Sequence, residues 1–310
     1  MSPAPAEPSA THDLRRAILM MLGSTLMFGT MTVTIRFAAN DLHVFEIGFF
    51  RTLFGLFFAL PLLLRHGTGL LRTRHLSLYF MRCLVGILSM MCGFWAIVNL
   101  PLAEAVSISY ATPLFVTIGA VLVLGEVVRV RRWTAVLVGF VGVLLIVRPG
   151  AASFSVHTLV ALAAAALSGS VAISIKFLSR TEKPDAIVLY TSLFWVPMSL
   201  VPALFVWTWP QGITWLWVIL AGFFGTAGHL LWTRALKLGD ASLLTPITFV
   251  QVLVVGFYGW LLFDEVIDRW TMLGAGIILA SNYYIALREA KLARRAVTDP
   301  EVGGESRISG

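Results

Sequence analysis

Ten apolar stretches, joined by short links, leave this 310-residue chain few ways to fold. They run over 17–38, 43–64, 77–98, 103–124, 133–148, 156–177, 185–206, 213–234, 242–263 and 270–287. A helix needs about 20 apolar residues to cross the hydrocarbon of a bilayer. Hydrocarbon offers the backbone no hydrogen-bond partner, so such stretches must satisfy their N–H and C=O groups internally, as helices. The expected fold class is an all-α integral membrane protein of ten transmembrane helices. Composition agrees: 58% of residues are hydrophobic and 13% charged, whereas soluble domains carry about 25% charged residues. The net charge of +7 reads as loop arginines meeting anionic lipid headgroups, since no Lys/Arg run exceeds two residues. The expected partners are the lipid bilayer and a small molecule, with no nucleic acid. Cys83 and Cys92 do not share a helical face, so neither a disulfide nor a metal site is expected.

The chain is also written twice. GTMTVTIRF at 29–37 returns as GSVAISIKF at 169–177, with Gly29/Gly169, Ile35/Ile175 and Phe37/Phe177 identical and Arg36 answered by Lys176. LPLAEA (100–105) is answered by LKLGDA (236–241), LGEV (124–127) by FDEV (263–266), and Trp133-Thr134 by Trp270-Thr271. The offsets, 140, 136, 139 and 137 residues, divide the chain into two five-helix repeats, 17–148 and 156–287. Residues 1–16 and 291–310, polar or rich in Pro, Gly and Ser, are expected to be disordered cytoplasmic tails.

Loop charges orient the repeats. With the N-terminus inside, seventeen Lys and Arg face the cytoplasm, while only Arg36, Arg148 and Arg269 fall outside. That bias places both termini in the cytoplasm of an inner-membrane protein. Five helices per repeat is an odd number, so the second repeat is inverted relative to the first. Inverted repeats suit alternating access, because two similar packings can be exchanged between halves around one site near the midplane.

The AEAxxxxYxxPLF…LGE run, followed by a Trp and a Gly-rich helix, resembles the EamA-type modules of the drug/metabolite transporter superfamily. The matching positions are Ala103–Ala105, Pro113, Glu126, Gly139 and Gly142 in one module, and Asp240, Ala241, Glu265, Gly274 and Gly276 in the other. Pro246 departs from the pattern by sitting earlier in register than Pro113. The resemblance implies a secondary transporter without a cofactor. It implies amino acid or related metabolite export as the first expectation, and import of a compound such as riboflavin or S-adenosylmethionine as the second.

Several residues could carry transport. Arg51 lies about 12 Å inside the second apolar stretch at 1.5 Å per residue, too deep to face lipid cheaply. It reads as a counter-charge for a substrate carboxylate, or as half of a structural ion pair, for instance with Glu46. Arg82 reads as a binding group or as a side chain snorkelling to the headgroups. His229 reads as a packing residue or a proton relay, and Gln251 as a partner of substrate or of a neighbouring helix. Trp95, Tyr110, Trp232 and Tyr258 offer apolar bodies with polar tips, suited to lining a cavity or to packing. Glu126 and Glu265 read as structural groups at helix ends. Gly139, Gly142, Gly274 and Gly276 read as close-packing positions for scaffold contacts or a homodimer.

Other classes fit less well. Asp264-Glu265-Val266-Ile267-Asp268 resembles one acidic box of a membrane prenyltransferase, but no second box follows and its repeat mate is not acidic. HExxH and GxSxG are missing, so hydrolysis lacks a metal site or nucleophile, and no nucleotide-binding motif supports a primary pump.

Overall fold

The computed structural model describes residues 9–64, 76–124, 130–148, 155–178, 184–238, 244 and 247–298. Its helices are α1 (Ser9–Ala38), α2 (Val44–Leu64), α3 (Leu76–Asn99), α4 (Leu102–Ser109), α5 (Thr112–Leu124), α6 (Val130–Val147) and α7 (Val156–Leu178). They continue as α8 (Pro184–Leu204), α9 (Thr214–Leu238), α10 (Val250–Phe263) and α11 (Arg269–Thr298). Counting α4 and α5 as one broken span gives the ten-helix membrane fold of two inverted five-helix repeats. Among the described residues no strand occurs. Exposed leucines, valines and phenylalanines such as Leu122, Leu137, Val201 and Phe257 are what lipid-facing surfaces require.

Three boundaries differ from expectation. The chain is helical from Ser9, inside the stretch expected as a tail, and α11 continues to Thr298, past 291. REAKLARRA (288–296) consists largely of strong helix formers, which explains the second extension. The fourth apolar stretch is broken at Tyr110 and Ala111. Pro113 has no N–H for the Ser109 carbonyl, which accepts the Thr112 hydroxyl at 2.8 Å instead. Glu126, Asp240, Ala241 and Pro246 lie outside the described residues, as do residues 1–8 of the first expected tail and 299–310 of the second.

Polar groups end several helices. Glu46 Oε2 accepts the His43 N–H at 2.8 Å, capping the start of α2. Its other oxygen accepts the Thr208 hydroxyl at 2.9 Å and the Thr208 N–H. At the end of α10, Asp264 takes a left-handed φ of 53°, and the Glu265 N–H then turns back to the Gly259 carbonyl at 3.0 Å.

Helix pairing reproduces the duplication in space. α1 packs on α9 as α7 packs on α3; α2 packs on α9 as α8 packs on α3; α1 meets α10 as α7 meets α5. The repeat-equivalent pairs α2–α8, α4–α10 and α6–α11 pack on each other. Two groups therefore exchange under the repeat symmetry: α1, α2, α9 and α10 in one, α3, α4, α5, α7 and α8 in the other. The pair α6–α11 packs beside the second group, against α4 and α5. That pair is close because it has no side chain where it crosses: a Cβ at Gly142 would lie 2.7 Å from the Gly274 carbonyl, and one at Gly274 2.5 Å from the Gly142 carbonyl. Gly139 is similarly enclosed by Leu114 and Ser281. Gly276 has open space around it within the chain, so it makes no close helix crossing of the kind seen at Gly142 and Gly274.

Candidate functional site

Arg51 is a part-buried charge that α2 turns into the bundle. Its guanidinium reaches from α2 to the place where α1, α3 and α9 converge. A Cβ at Gly225 would sit 3.0 Å from Nη2, and the same position lies 3.0 Å from Met31 Sδ. On the α3 side, Nη1 lies 3.6 Å from Met90 Sδ. Two thioethers and a bare glycine thus surround a cation, and neither sulfur is more than a weak acceptor. Among the described residues Arg51 has no carboxylate partner. The expected structural alternative, a pair with Glu46, is not formed, because both Glu46 oxygens are spent on His43 and Thr208.

Glycine spacing on α9 makes room for this cation. Gly222, Gly225 and Gly228 recur every three residues, and their missing side chains admit Phe54 and Gly55 of α2, Arg51 with Met31, and Phe28 of α1 in turn. Thr226 seals the α2 contact by donating to the Gly55 carbonyl at 3.2 Å. One turn beyond Gly225 on the same stripe stands His229, edge-on to Phe28 with ring centroids 5.0 Å apart. Because α9 continues to Leu238, His229 lies deeper than the expected end at 234 implied. It is nonetheless exposed, and Trp232, three residues on, is 41% exposed. The α9 stripe is thus buried at Gly225 and exposed at His229 and Trp232, toward the helix C-terminus.

A second cluster forms where the broken fourth span meets the ninth. The Tyr110 hydroxyl donates to the Thr248 carbonyl and lies 3.4 Å from Gln251 Oε1. Its ring stands edge-on to Phe249 at 5.1 Å, and its backbone carbonyl accepts Asn282 Nδ2 at 2.7 Å. Tyr110 and Gln251 are therefore brought together across the two exchanging groups, with the single O–H of Tyr110 given to Thr248. Tyr258, two turns along α10, has its hydroxyl 3.4 Å from that of Thr30 on α1.

Two expected residues stand apart. Arg82 is buried, and it donates to Thr191 on α8; the snorkelling alternative is corrected, since the side chain turns inward. Trp95 Nε1 donates to His157 Nδ1 at 2.9 Å, tying the end of α3 to the start of α7. Neither makes a described contact with the Arg51 cluster. The acidic loop is neutralised by bases: Glu265 pairs with Arg36 at 2.9 Å and Asp268 with Arg148 at 2.8 Å. No group of three His, Cys, Asp or Glu able to hold a metal occurs among the described residues.

Sequence reasoning missed Met31, Met90, Asn282 and the glycine stripe of α9. Asn282 carried a usable signal, a lone amide in an apolar stretch like that of Gln251. The thioethers carried none, because methionine in an apolar helix looks like any core residue.

Comparisons with known proteins agree with the architecture. A family model described as the EamA-like transporter family matches residues 15–148 and again 157–287. The chain is 32% identical over 227 residues to a riboflavin transporter of Vibrio cholerae, covering 73% of this chain and 76% of the relative. It is 28% identical to the pseudopaline exporter CntI of Pseudomonas aeruginosa, over 90% of this chain and 98% of the relative. It is 26% identical to an S-adenosylmethionine uptake transporter of Rickettsia felis, over 85% and 90% respectively. One solved crystal structure superposes with a TM-score of 0.58 at 22% identity, covering 94% of this chain and 99% of its own, which is a likeness of fold.

Proposed function

The chain belongs to the EamA-like transporter family, and from that premise we propose that it carries a small, carboxylate-bearing metabolite across the bacterial inner membrane by alternating access. It is a multi-pass transporter and not an enzyme. The observation that carries the substrate class is Arg51, a guanidinium held inside the bundle among thioethers and a glycine, with no carboxylate of its own. An uncompensated cation there costs several kcal/mol of desolvation, and an anionic solute offsets that cost on arrival. Its planar fork favours a carboxylate over a dispersed anion. In this reading the exposed His229 and Trp232 face the approach to Arg51, with an aromatic surface for the apolar part of the solute.

Export of an amino acid or related metabolite is the first reading. Import is the second, favoured by relatives named for riboflavin and S-adenosylmethionine uptake. Reconstitution tests both. Purified protein in liposomes is given a pooled metabolite mixture on one side, and movement is read by mass spectrometry against empty liposomes. Selective movement of carboxylate solutes is expected, and the side that supports the faster initial rate reports direction. Equal movement of cationic and anionic solutes would overturn the role given to Arg51. No movement under any ion gradient, with the protein shown folded, would overturn the transporter reading for this chain.

A further inference from the structure

We propose that Arg36 and Glu265 form the outer gate of the transport cycle, a clamp that grips the α3–α4 turn and must release whenever the outer mouth opens. The proposal rests on the alternating-access reading above and adds to it the residues that hold one mouth shut.

Arg36 occupies the last turn of α1, and Glu265 follows the end of α10. Their side chains pair at 2.9 Å, with the guanidinium over the Phe263 ring, 5.5 Å from its centroid. All three residues belong to the α1, α2, α9 and α10 group, so the ion pair moves with that group. Its remaining bonds cross to the other group. Arg36 Nη1 donates to the Leu100 carbonyl at 2.7 Å and also to the Ile97 carbonyl, while the Leu102 N–H donates to Glu265 Oε2 at 2.7 Å. The accepting carbonyls are at the C-terminal end of α3, and the donating N–H begins α4. One ion pair therefore satisfies backbone groups that two helix ends leave open, with each charge on the side that the helix dipole favours.

Among the described polar links at this end of the bundle, the clamp is the one whose charged pair lies in one exchanging group and whose backbone partners lie in the other. Arg148–Asp268 joins α6 to α11, and Asp41–Thr214 joins the α1 end to α9. Glu46 holds Thr208 in the loop that leads into α9. Separating the two groups at the outer mouth breaks the three bonds to the turn and leaves the ion pair intact, ready to close again. Arg36 and Glu265 are 21% and 14% exposed, so water can take over the broken bonds and release is reversible.

The test places a reporter beneath the clamp. In protein with Cys83→Ala and Cys92→Ala, Val252→Cys lies seven residues before Gly259, the α10 position against which the Glu265 side chain folds back, and so about 10 Å deeper at 1.5 Å per residue. A membrane-impermeant maleimide is added from outside to proteoliposomes of known orientation. Labelling is expected to be slow with the clamp intact, to accelerate at least tenfold in Arg36→Gln or Glu265→Gln, and to stay near the slow rate in Arg36→Lys. A second reporter, Trp232→Cys, should label more slowly from inside in the same clamp variants, because opening one mouth closes the other; a misfolded protein would label faster at both. Unchanged rates at Val252→Cys in both Gln variants, in protein that still transports, overturn the clamp alone. Failure of the unmodified protein to transport any solute overturns the reading on which the clamp rests.

Discussion

Replacing Arg51 by Met separates a binding role from a structural one, because the two predict opposite signs for stability. Met is close in length to the Arg stem and is chemically matched to its neighbours Met31 and Met90. If Arg51 waits for an anion, the empty protein bears its desolvation without return. Substituting a buried charge by an apolar residue of similar size is then neutral or stabilising, by about 1–4 kcal/mol. Solute binding changes the other way. Each charge-assisted hydrogen bond to a carboxylate is worth about 1.5–3 kcal/mol, and about 1.4 kcal/mol is a factor of ten. Arg51→Met should therefore weaken a carboxylate solute by about 10- to 150-fold while leaving the unfolding midpoint in detergent unchanged or raised. Arg51→Lys keeps the charge and loses the fork, so its affinity should fall between the two. The paired measurements are thermal unfolding and the concentration dependence of counterflow in proteoliposomes. A lowered midpoint with unaltered counterflow would refute the assignment and make Arg51 a structural residue.

Two further substitutions probe the frame around the site. Gly142→Ala sets a methyl 2.7 Å from the Gly274 carbonyl and 2.9 Å from Ile278, so α6 and α11 must part; a loss of about 1–3 kcal/mol is expected. Gly276→Ala, with nothing within 4 Å, is the control that thermal unfolding should find harmless. Glu46→Ala removes the cap of α2 and the tie to Thr208 from a fully buried position. It should cost about 2 kcal/mol by the same measurement, with the solute concentration for half-maximal counterflow unchanged.

The chain disclosed its architecture because bilayer physics leaves so little choice. An apolar stretch of spanning length has to be a helix, and a motif repeated after an odd number of helices has to be inverted. The break at Tyr110 was less legible. Pro113 marked it, but a proline within an apolar run can also bend a continuous helix, as Pro197 and Pro202 within α8 illustrate. Arg51 was legible as an expensive residue, since charge at depth is conspicuous in sequence. Its loneliness was not, because whether Glu46 pairs with it depends on the position of Thr208, 162 residues away. Arg82 shows the same limit from the other side: its burial against Thr191 is a property of how α8 meets α3. Hydropathy reports depth, while partners are set by packing.

The distribution of polar bonds bears on what decides which mouth is open. Apolar packing within the two groups is matched across the repeats: α1 on α9 has its mate in α7 on α3, and α6–α11 is its own mate. Packing of that kind favours neither mouth strongly, because opening one side reproduces at the other the contacts just lost. The bias must come from what the repeats do not share. Arg36 is answered by Lys176 in sequence, yet the Arg fork serves Leu100, Ile97 and Glu265 together, which a lysine's single ammonium does with poorer geometry. Likewise the Tyr110 hydroxyl spans the groups to Thr248 and Gln251 at the level where the halves pivot. A few polar side chains, worth one or two kcal/mol each, are enough to shift a near-balanced equilibrium by tenfold or more. Substitutions at these positions should therefore change transport rate, and apparent affinity at each face, in proteoliposome counterflow with little effect on the unfolding midpoint, whereas those at the glycine crossings should do the reverse.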